Sequence, residues 1–209
     1  DGLATLIDRI LAGTNVEVRL TTTVDAIEPC GRGYRLVAAG TPQERFDGVV
    51  VALPAAPALR LLQPLLGVGA VPLASLRTAS VATVLMAWDA ERSASCEALR
   101  ATGILTPGKA GTLMKAATFL SSKWPHLRHR DHVLFRLSAG RVGEHRVASL
   151  PDEHLVGQMV DELQRATGLT GSPMHPRVYR WPEALPQLEV GHLDKMATVR
   201  SAVARLPGL

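Results

Sequence analysis

Apolar residues recur at helical spacing in three stretches of the chain. The first would form a helix that Asp1 can cap and Gly13 ends, and its apolar face is Leu3, Leu6, Ile7, Ile10 and Leu11. The second runs from Asp152 to about Thr167, and the third from His192 to about Leu206. The first two stretches predict helices with one apolar face, the first of them packed against an apolar surface, and the third predicts a helix.

Strand patterns fill the first quarter of the chain between these helices. Alternating or continuous apolar runs, punctuated by Gly, Pro and Asn, predict strands at Val16–Leu20, Val24–Ile27, Tyr34–Ala38 and Phe46–Leu53. The last run is apolar on both faces, which favours the interior of a layered α/β sheet. A short helix is expected after it, from about Pro57 to Leu62.

Longer strand patterns follow in the middle of the chain. They are SVATVLMAW (80–88), TLMKAATFL (112–120) and HVLFRLSAG (132–140), and GILTPGKAG (103–111) turns between the first two. An antiparallel sheet is predicted. A further strand begins near residue 175, and Pro182 and Pro186 are expected to break its ladder because proline lacks a backbone donor.

The patterns together predict an α/β plus α+β fold. A piece of a layered α/β domain leads into an inserted domain of antiparallel sheet and helices, and the chain then returns to the first layer. The predicted boundaries are 1–64 for the first layer, 65–178 for the inserted domain and 179–209 for the return segment.

Composition and charge narrow the classes of function. The 209 residues are 46% apolar and 4% aromatic, with a formal net charge of +4. So few aromatic residues give no stacking platform for single-stranded nucleic acid, and no helix-turn-helix or finger pattern is present. The basic and histidine-rich window 123–146 is interpreted as a solvated face or as a cleft for a carboxylated small molecule.

Two local motifs suggest chemistry that their context argues against. GILTPGKA (103–110) resembles a phosphate-binding loop, but Ala110 stands where the motif needs Ser or Thr and a strand pattern follows, so a hairpin turn is expected. HLRHRDH (126–132) contains His126, His129, Asp131 and His132, but its spacing matches no zinc motif. We predict a polar loop and no metal site.

The cysteines and hydropathy indicate a cytoplasmic protein. Cys30 and Cys96 have no metal-binding or redox spacing, so two free thiols are expected. The opening residues lack the features of a secretory signal. The longest uncharged run, Leu61–Leu76, is shorter than a membrane-spanning helix requires, so no transmembrane segment is predicted. Peripheral membrane association and oligomeric state stay open.

Several stretches resemble one family across nearly the whole chain. They are DGLATLIDRIL, VEVRLTTTVDAIE, FDGVVVALPAAPALRLL, LMKAATFLSSKWPH and VYRWPEALPQLEVGHLDKMATVRSAVARLPGL. They are similar to the oxygen-dependent protoporphyrinogen/coproporphyrinogen oxidases of the flavin-containing amine oxidase superfamily. The resemblance implies a fragment of an FAD-binding α/β domain with an inserted substrate domain.

The resemblance also implies a cofactor, substrates and site residues. The cofactor would be FAD, and the substrates a porphyrinogen and O2, with hydride transfer to the flavin and release of peroxide. Val24 and Trp181 correspond to FAD-contact positions, and Leu53 and Pro54 resemble a loop that passes close to the flavin. Lys123 and Arg136 are placed on the substrate domain.

One feature of the family is missing from the sequence. No GxGxxG dinucleotide fingerprint occurs, and the pair Gly67 and Gly69 follows no strand pattern. The chain therefore looks like the central to late-central part of such an enzyme, inactive alone. Two alternatives are a related flavoprotein that oxidises an amine or a polyene, and a non-catalytic module that binds a tetrapyrrole.

Overall fold

A computed structural model describes residues 3–40 and 44–209 of the chain. The chain divides into two compact units: residues up to Leu76 together with Leu188–Leu209, and Arg77–Gln187. The boundaries predicted from the sequence, after residues 64 and 178, lie before the observed divisions after Leu76 and Gln187. The predicted cap at Asp1 lies outside the described residues.

Eight helices and eight strands occur in the described ranges. The helices are α1 (Leu3–Ala12), α2 (Ala55–Leu66), α3 (Val71–Ala74), α4 (Ala90–Ser93), α5 (Leu120–Lys123), α6 (Arg146–Ser149), α7 (Asp152–Thr167) and α8 (His192–Val203). The strands are β1 (Val24–Cys30), β2 (Gly33–Ala38), β3 (Arg45–Phe46), β4 (Thr78–Asp89), β5 (Gly103–Leu105), β6 (Met114–Phe119), β7 (His132–Ala139) and β8 (Met174–Pro186).

The second unit is built on an antiparallel sheet of order β5-β6-β7-β4-β8. One face of the sheet is covered by α7, whose Leu155, Met159 and Leu163 are fully buried against it. At the centre, the Trp88 and Phe135 rings meet edge to face, and Trp88 Nε1 donates to the Thr170 carbonyl at 2.7 Å. The antiparallel sheet predicted from the sequence is confirmed.

A buried carboxylate joins α7 to the start of β6. Glu162 is 5% exposed, and its oxygens accept hydrogen bonds from the backbone amides of Leu113 at 3.0 Å and Met114 at 2.7 Å. Gln158 Nε2 donates to the same carboxylate at 3.1 Å. These amides lie where the β6–β7 register shifts, between Met114 and Ala116, so Glu162 replaces acceptors that the ladder does not supply.

The strand through Trp181 is longer than predicted. β8 continues past Pro182 to Pro186, but its ladder is interrupted at Pro182 as predicted, because no pair with β4 lies between Trp181 and Leu185. The ladder accommodates the prolines in two ways: β8 is the edge strand, and its register shifts between Val81↔Trp181 and Ala79↔Leu185. Proline is tolerated at an edge and at a bulge because neither position needs every N–H. Glu183, within the bulge, has a φ of +49°.

The first unit has a small sheet of order β1-β2-β3. Ile27 and Tyr34 of the sheet pack with Leu61 of α2. The Tyr34 hydroxyl donates to the carbonyl of Pro207 at 3.1 Å, and the Val49 amide donates to that of Gly208 at 2.7 Å. The C-terminal residues are therefore part of this unit's fold.

Two predicted strands of the first unit are absent. Residues 16–20 are irregular, and of Phe46–Leu53 only Phe46 is in a strand. Among the described residues these segments have no neighbouring strand, and a strand conformation needs a ladder partner as well as an apolar pattern. Apolar side chains of both segments are left exposed: Val16, Val18, Leu20, Val50 and Leu53. The apolar face of α1 is exposed as well, at Leu6, Ile7 and Ile10.

One helical stretch of the described chain, Ala55–Ala74, is long and apolar enough to cross a membrane by length and composition alone. It is not one regular helix. Pro64 lies inside α2, and Gly67, with a φ of +51°, ends it before a 3-10 turn. The same test is passed by core helices of proteins outside membranes, so it does not assign a membrane span.

Candidate functional site

A half-open pocket in the first unit contains two of the residues singled out in the sequence. It has a volume of about 600 Å³ and is lined by β1, the extended residues 49–53 and α2. Val24 and Leu53 both line it, and Pro54 follows directly at the start of α2. The lining is apolar apart from the hydroxyls of Thr22 and Thr23, the carboxylate of Asp25 and the guanidinium of Arg60.

One strand that lines the pocket, β1, has unpaired backbone. β1 is the outer strand of the three-stranded sheet, so one of its edges has no partner strand among the described residues. An edge strand presents N–H and C=O groups that can hydrogen-bond a ligand. An apolar lining beside such an edge suits a flat heteroaromatic ring, and the volume lies in the range of small-molecule sites. These features fit part of a dinucleotide cofactor.

In the second unit, Trp181 lies on the face of the sheet opposite α7, which we call the open face. Side chains alternate between the faces of a strand. Val178 joins the core, and Arg180 donates to the carbonyls of Val147 and Leu150, so Tyr179 and Trp181 point the other way. Their rings are stacked with centroids 6.2 Å apart, and they are 48% and 46% exposed.

Two arginines share the open face with this aromatic pair. Arg136 of β7 and Arg177 of β8 both pair with Leu85 of β4, one from each side. Two strand spacings, roughly 10 Å, therefore separate their backbones. Arg136 Nη2 donates to Thr118 Oγ1 at 3.4 Å, and neither guanidinium has an ion-pair partner within 3–40 or 44–209. The open face thus offers two cations and an aromatic surface.

Lys123, the other residue placed on the substrate domain, lies elsewhere. It is exposed at the end of α5, and its ammonium group is 5.5 Å from the ring centroid of Trp124. In the part of the chain that the structure describes, no hydrogen bond or ion pair joins it to Arg136. The strand pairing places Arg136 on the open face with Arg177 and Tyr179.

Several other charges are taken up by local pairs. Arg19 lies between Glu17 at 2.6 Å and Glu44 at 2.8 Å, and its hydrogen bond lowers the pKa of Glu17. Arg146 contacts Glu144 at 2.6 Å and holds the pKa of that carboxyl below its usual value. These pairs neutralise themselves, whereas the arginines of the open face are available to a ligand.

The first of the two sequence motifs forms the hairpin turn that was predicted. Gly108–Ala110 form a 3-10 turn in the β5–β6 hairpin, and no helix follows to receive phosphates. His129 and His132 stack face to face at 3.9 Å. Within the described ranges no group of three His, Cys, Asp or Glu side chains is placed to hold a metal. Cys30 and Cys96 are free thiols, as predicted.

Sequence reasoning missed Arg177 and Tyr179 of the open face and Arg60 of the pocket. A signal existed for the first two, because residues 177, 179 and 181 share one face of any strand that contains Trp181. The family resemblance pointed to Trp181 alone, although the strand predicted from about residue 175 already contained Arg177 and Tyr179. Arg60 carried no signal, since its position depends on how α2 packs beside β1.

Comparison with known proteins places this geometry in a family. A coproporphyrinogen III oxidase of Bacillus subtilis is 27% identical over 97% of this chain and 43% of its own length. A chloroplastic protoporphyrinogen oxidase of Nicotiana tabacum is 26% identical over 97% of this chain and 39% of its own length. The chain therefore spans less than half of these curated relatives.

Comparison with solved structures points to the same group of proteins. A crystal structure from Exiguobacterium sp. 255-15, described as a candidate protoporphyrinogen oxidase, matches 99% of this chain and 45% of its own, with 30% identity and a TM-score of 0.82. The two antiparallel sheets with their helices are thus a mixed α/β fragment of that fold. The model of one family, flavin containing amine oxidoreductase, matches residues 1–208. The chain belongs to the flavin-containing amine oxidoreductase family.

Proposed function

We propose that this chain is part of an FAD-dependent oxidase that converts coproporphyrinogen III, or protoporphyrinogen IX, to the porphyrin with O2 as acceptor in haem biosynthesis. The observation that carries the proposal is the sequence similarity to a coproporphyrinogen III oxidase, which extends over 97% of this chain at 27% identity. Protoporphyrinogen is kept as the alternative substrate because a protoporphyrinogen oxidase is similar to this chain at nearly the same identity, 26%. The 209 residues alone are expected to be inactive.

The cofactor proposal rests on the pocket of the first unit. Val24, Leu53 and Pro54 would hold part of FAD there, beside the unpaired edge of β1. Trp181 is proposed as a further FAD contact on the family resemblance alone. When bound, FAD supplies the redox chemistry, with O2 as the final acceptor. The chain's own residues would orient the cofactor and keep water from its rings.

The substrate proposal rests on the open face. A porphyrinogen is a large, apolar macrocycle with carboxylate side chains, and the open face combines the Tyr179–Trp181 pair with Arg136 and Arg177. A guanidinium pairs with a carboxylate through two parallel hydrogen bonds. We propose that these two arginines hold substrate carboxylates. Lys123 is retained as a peripheral cation for the same substrate.

The exposed apolar surface of the first unit supports a larger protein. The face of α1 and the unpaired residues 16–20 and 49–53 expose branched apolar side chains. Large exposed apolar patches usually mark surfaces that another segment or partner covers. Because the relatives are more than twice as long as the matched region, we propose that other segments of the full-length protein pack here and carry the dinucleotide fingerprint.

A substrate panel tests the function. The full-length protein is expected to consume oxygen with coproporphyrinogen III or protoporphyrinogen IX and not with amines or polyenes. If the protein oxidised an amine or a polyene and neither porphyrinogen, the result would favour the alternative, a related flavoprotein that acts on an amine or a polyene. Tetrapyrrole binding without oxygen consumption or bound flavin would favour the non-catalytic module.

Trp181→Ala tests the cofactor contact. Removing the indole should weaken FAD binding to the full-length protein about fivefold, since an aromatic contact is worth roughly 1 kcal/mol beyond its area. The measurement is flavin retained at 450 nm through dialysis. Tyr179→Ala is the matched control, because Tyr179 lies beside Trp181 with similar exposure. Equal flavin loss in both variants would argue against a specific contact.

A further inference from the structure

A second large cleft lies in the Arg77–Gln187 unit, at the end of the sheet away from Trp181. It has a volume of about 770 Å³ and opens between the 90–100 segment and the 121–133 segment. Along β4, Val81 pairs with Trp181 and Asp89 pairs with His132, so eight residues, or roughly 26 Å, separate the two places. The cleft needs an explanation of its own.

The chemistry of the cleft is basic. Arg100, Arg128, His129 and His132 line it, and Glu97 is the one carboxylate among its lining residues. That carboxylate is already bonded to Arg100 at 3.2 Å. Asp131 lies outside the lining, 3.8 Å from Nδ1 of His129. Among the described lining residues, the one carboxylate is thus paired with Arg100 and not with Arg128 or the two imidazoles.

Arg128 is held in position by a hydrogen bond to the buried residue Ser121. Ser121 is 8% exposed, and its hydroxyl donates to the Leu127 carbonyl and accepts from the Leu134 amide, both at 3.0 Å. Arg128 Nε donates to the Ser121 carbonyl at 3.3 Å. This bond fixes one edge of the guanidinium, and the two terminal nitrogens have no partner among residues 3–40 and 44–209.

The histidines add donors beside this guanidinium. The rings of His129 and His132 stack at 3.9 Å with an angle of 17° between their planes. His129 Nδ1 accepts from the Asp131 amide at 3.2 Å, so its proton is on Nε2, which is then a donor. The nitrogens of His132 have no hydrogen-bond partner in the described structure. The guanidinium of Arg128 and the imidazoles of His129 and His132 thus line the same cleft.

We propose that this cleft binds an oxyanion, the phosphate or carboxylate group of a small ligand. Arg128 would pair with two of its oxygens through the terminal guanidinium nitrogens, and the histidines would donate from the side. The volume leaves room for a ligand body larger than the anion itself. The inference does not depend on the porphyrinogen proposal, because it uses none of the residues of the open face or the first pocket.

The test is calorimetric titration of the full-length protein with inorganic phosphate, pyrophosphate and citrate. Saturable binding of at least one probe is expected. Arg128→Gln combined with His132→Gln should weaken that binding at least about tenfold, because hydrogen bonds to a charged group are among the stronger ones. The probe that binds best identifies the anion as phosphate or carboxylate. Circular dichroism checks that the variant is folded.

A matched variant separates a site from diffuse charge. Arg130→Gln combined with His126→Gln removes the same residue types from the same 126–132 segment, and neither residue lines the cleft. This variant should keep its affinity within about twofold. Equal weakening in both double variants would overturn the proposal, as would the absence of saturable binding of every probe at millimolar concentration.

Discussion

Replacing Glu162 with alanine is expected to lower the free energy of unfolding by about 3–5 kcal/mol. The carboxylate is 5% exposed and is the acceptor for the amides of Leu113 and Met114. Alanine leaves both donors buried without a partner, and each such group costs roughly 1–3 kcal/mol. The lost methylene packing of α7 adds to this cost. Urea unfolding followed by circular dichroism measures the change.

Two further variants sharpen that test. Glu162→Gln keeps the shape but has only one acceptor oxygen, so it should lie between alanine and the wild type. Asp161→Ala removes the neighbouring, exposed acid of α7 and should change the free energy of unfolding by less than about 0.5 kcal/mol. If Glu162→Ala were no more destabilising than Asp161→Ala, the carboxylate would not hold the start of β6.

Arg136→Gln combined with Arg177→Gln is expected to lower kcat/KM of the full-length protein for its porphyrinogen about a hundredfold. Each arginine would lose one charge-assisted pair on a partly exposed surface, worth roughly 1.4 kcal/mol or a factor of ten. The loss should appear mainly in KM, because the arginines would hold carboxylates remote from the reacting carbons. Steady-state oxygen consumption gives both constants.

The control for this pair lies on the other side of the sheet. Arg165 is exposed on α7, which covers the face opposite to Arg136 and Arg177. Arg165→Gln removes the same charge and should leave KM unchanged. A double variant with wild-type KM would remove the open face from the substrate site, while leaving the family assignment intact.

Elements with their own packing partner in the unit were predictable from the sequence. α7 spans the predicted residues because its apolar spacing is helical, and Gly168, with a φ of +74°, ends it. β4 and β7 were found because their alternation marks a buried face. Residues 16–20 and 47–53 have equally apolar patterns, but a strand also needs a partner, which the pattern cannot report.

The candidate sites were predictable to a smaller extent. The resemblance pointed to Val24 and Leu53, and the structure places both at one pocket. Whether they contact FAD stays a prediction, as it does for Trp181. The oxyanion cleft joins segments that lie about thirty residues apart, Arg100 with Arg128 and His132. Strand pairing and the hydrogen bond from Ser122 Oγ to the Leu99 carbonyl bring these segments together, so local spacing could not reveal them.

The most direct test of the central claim is anaerobic mixing of the FAD-loaded full-length protein with coproporphyrinogen III, and separately with protoporphyrinogen IX. If the protein is a porphyrinogen oxidase, the flavin absorbance near 450 nm should bleach with at least one of them and recover when O2 is admitted, with formation of the porphyrin. A flavin that stays oxidised with both porphyrinogens would contradict the proposed function.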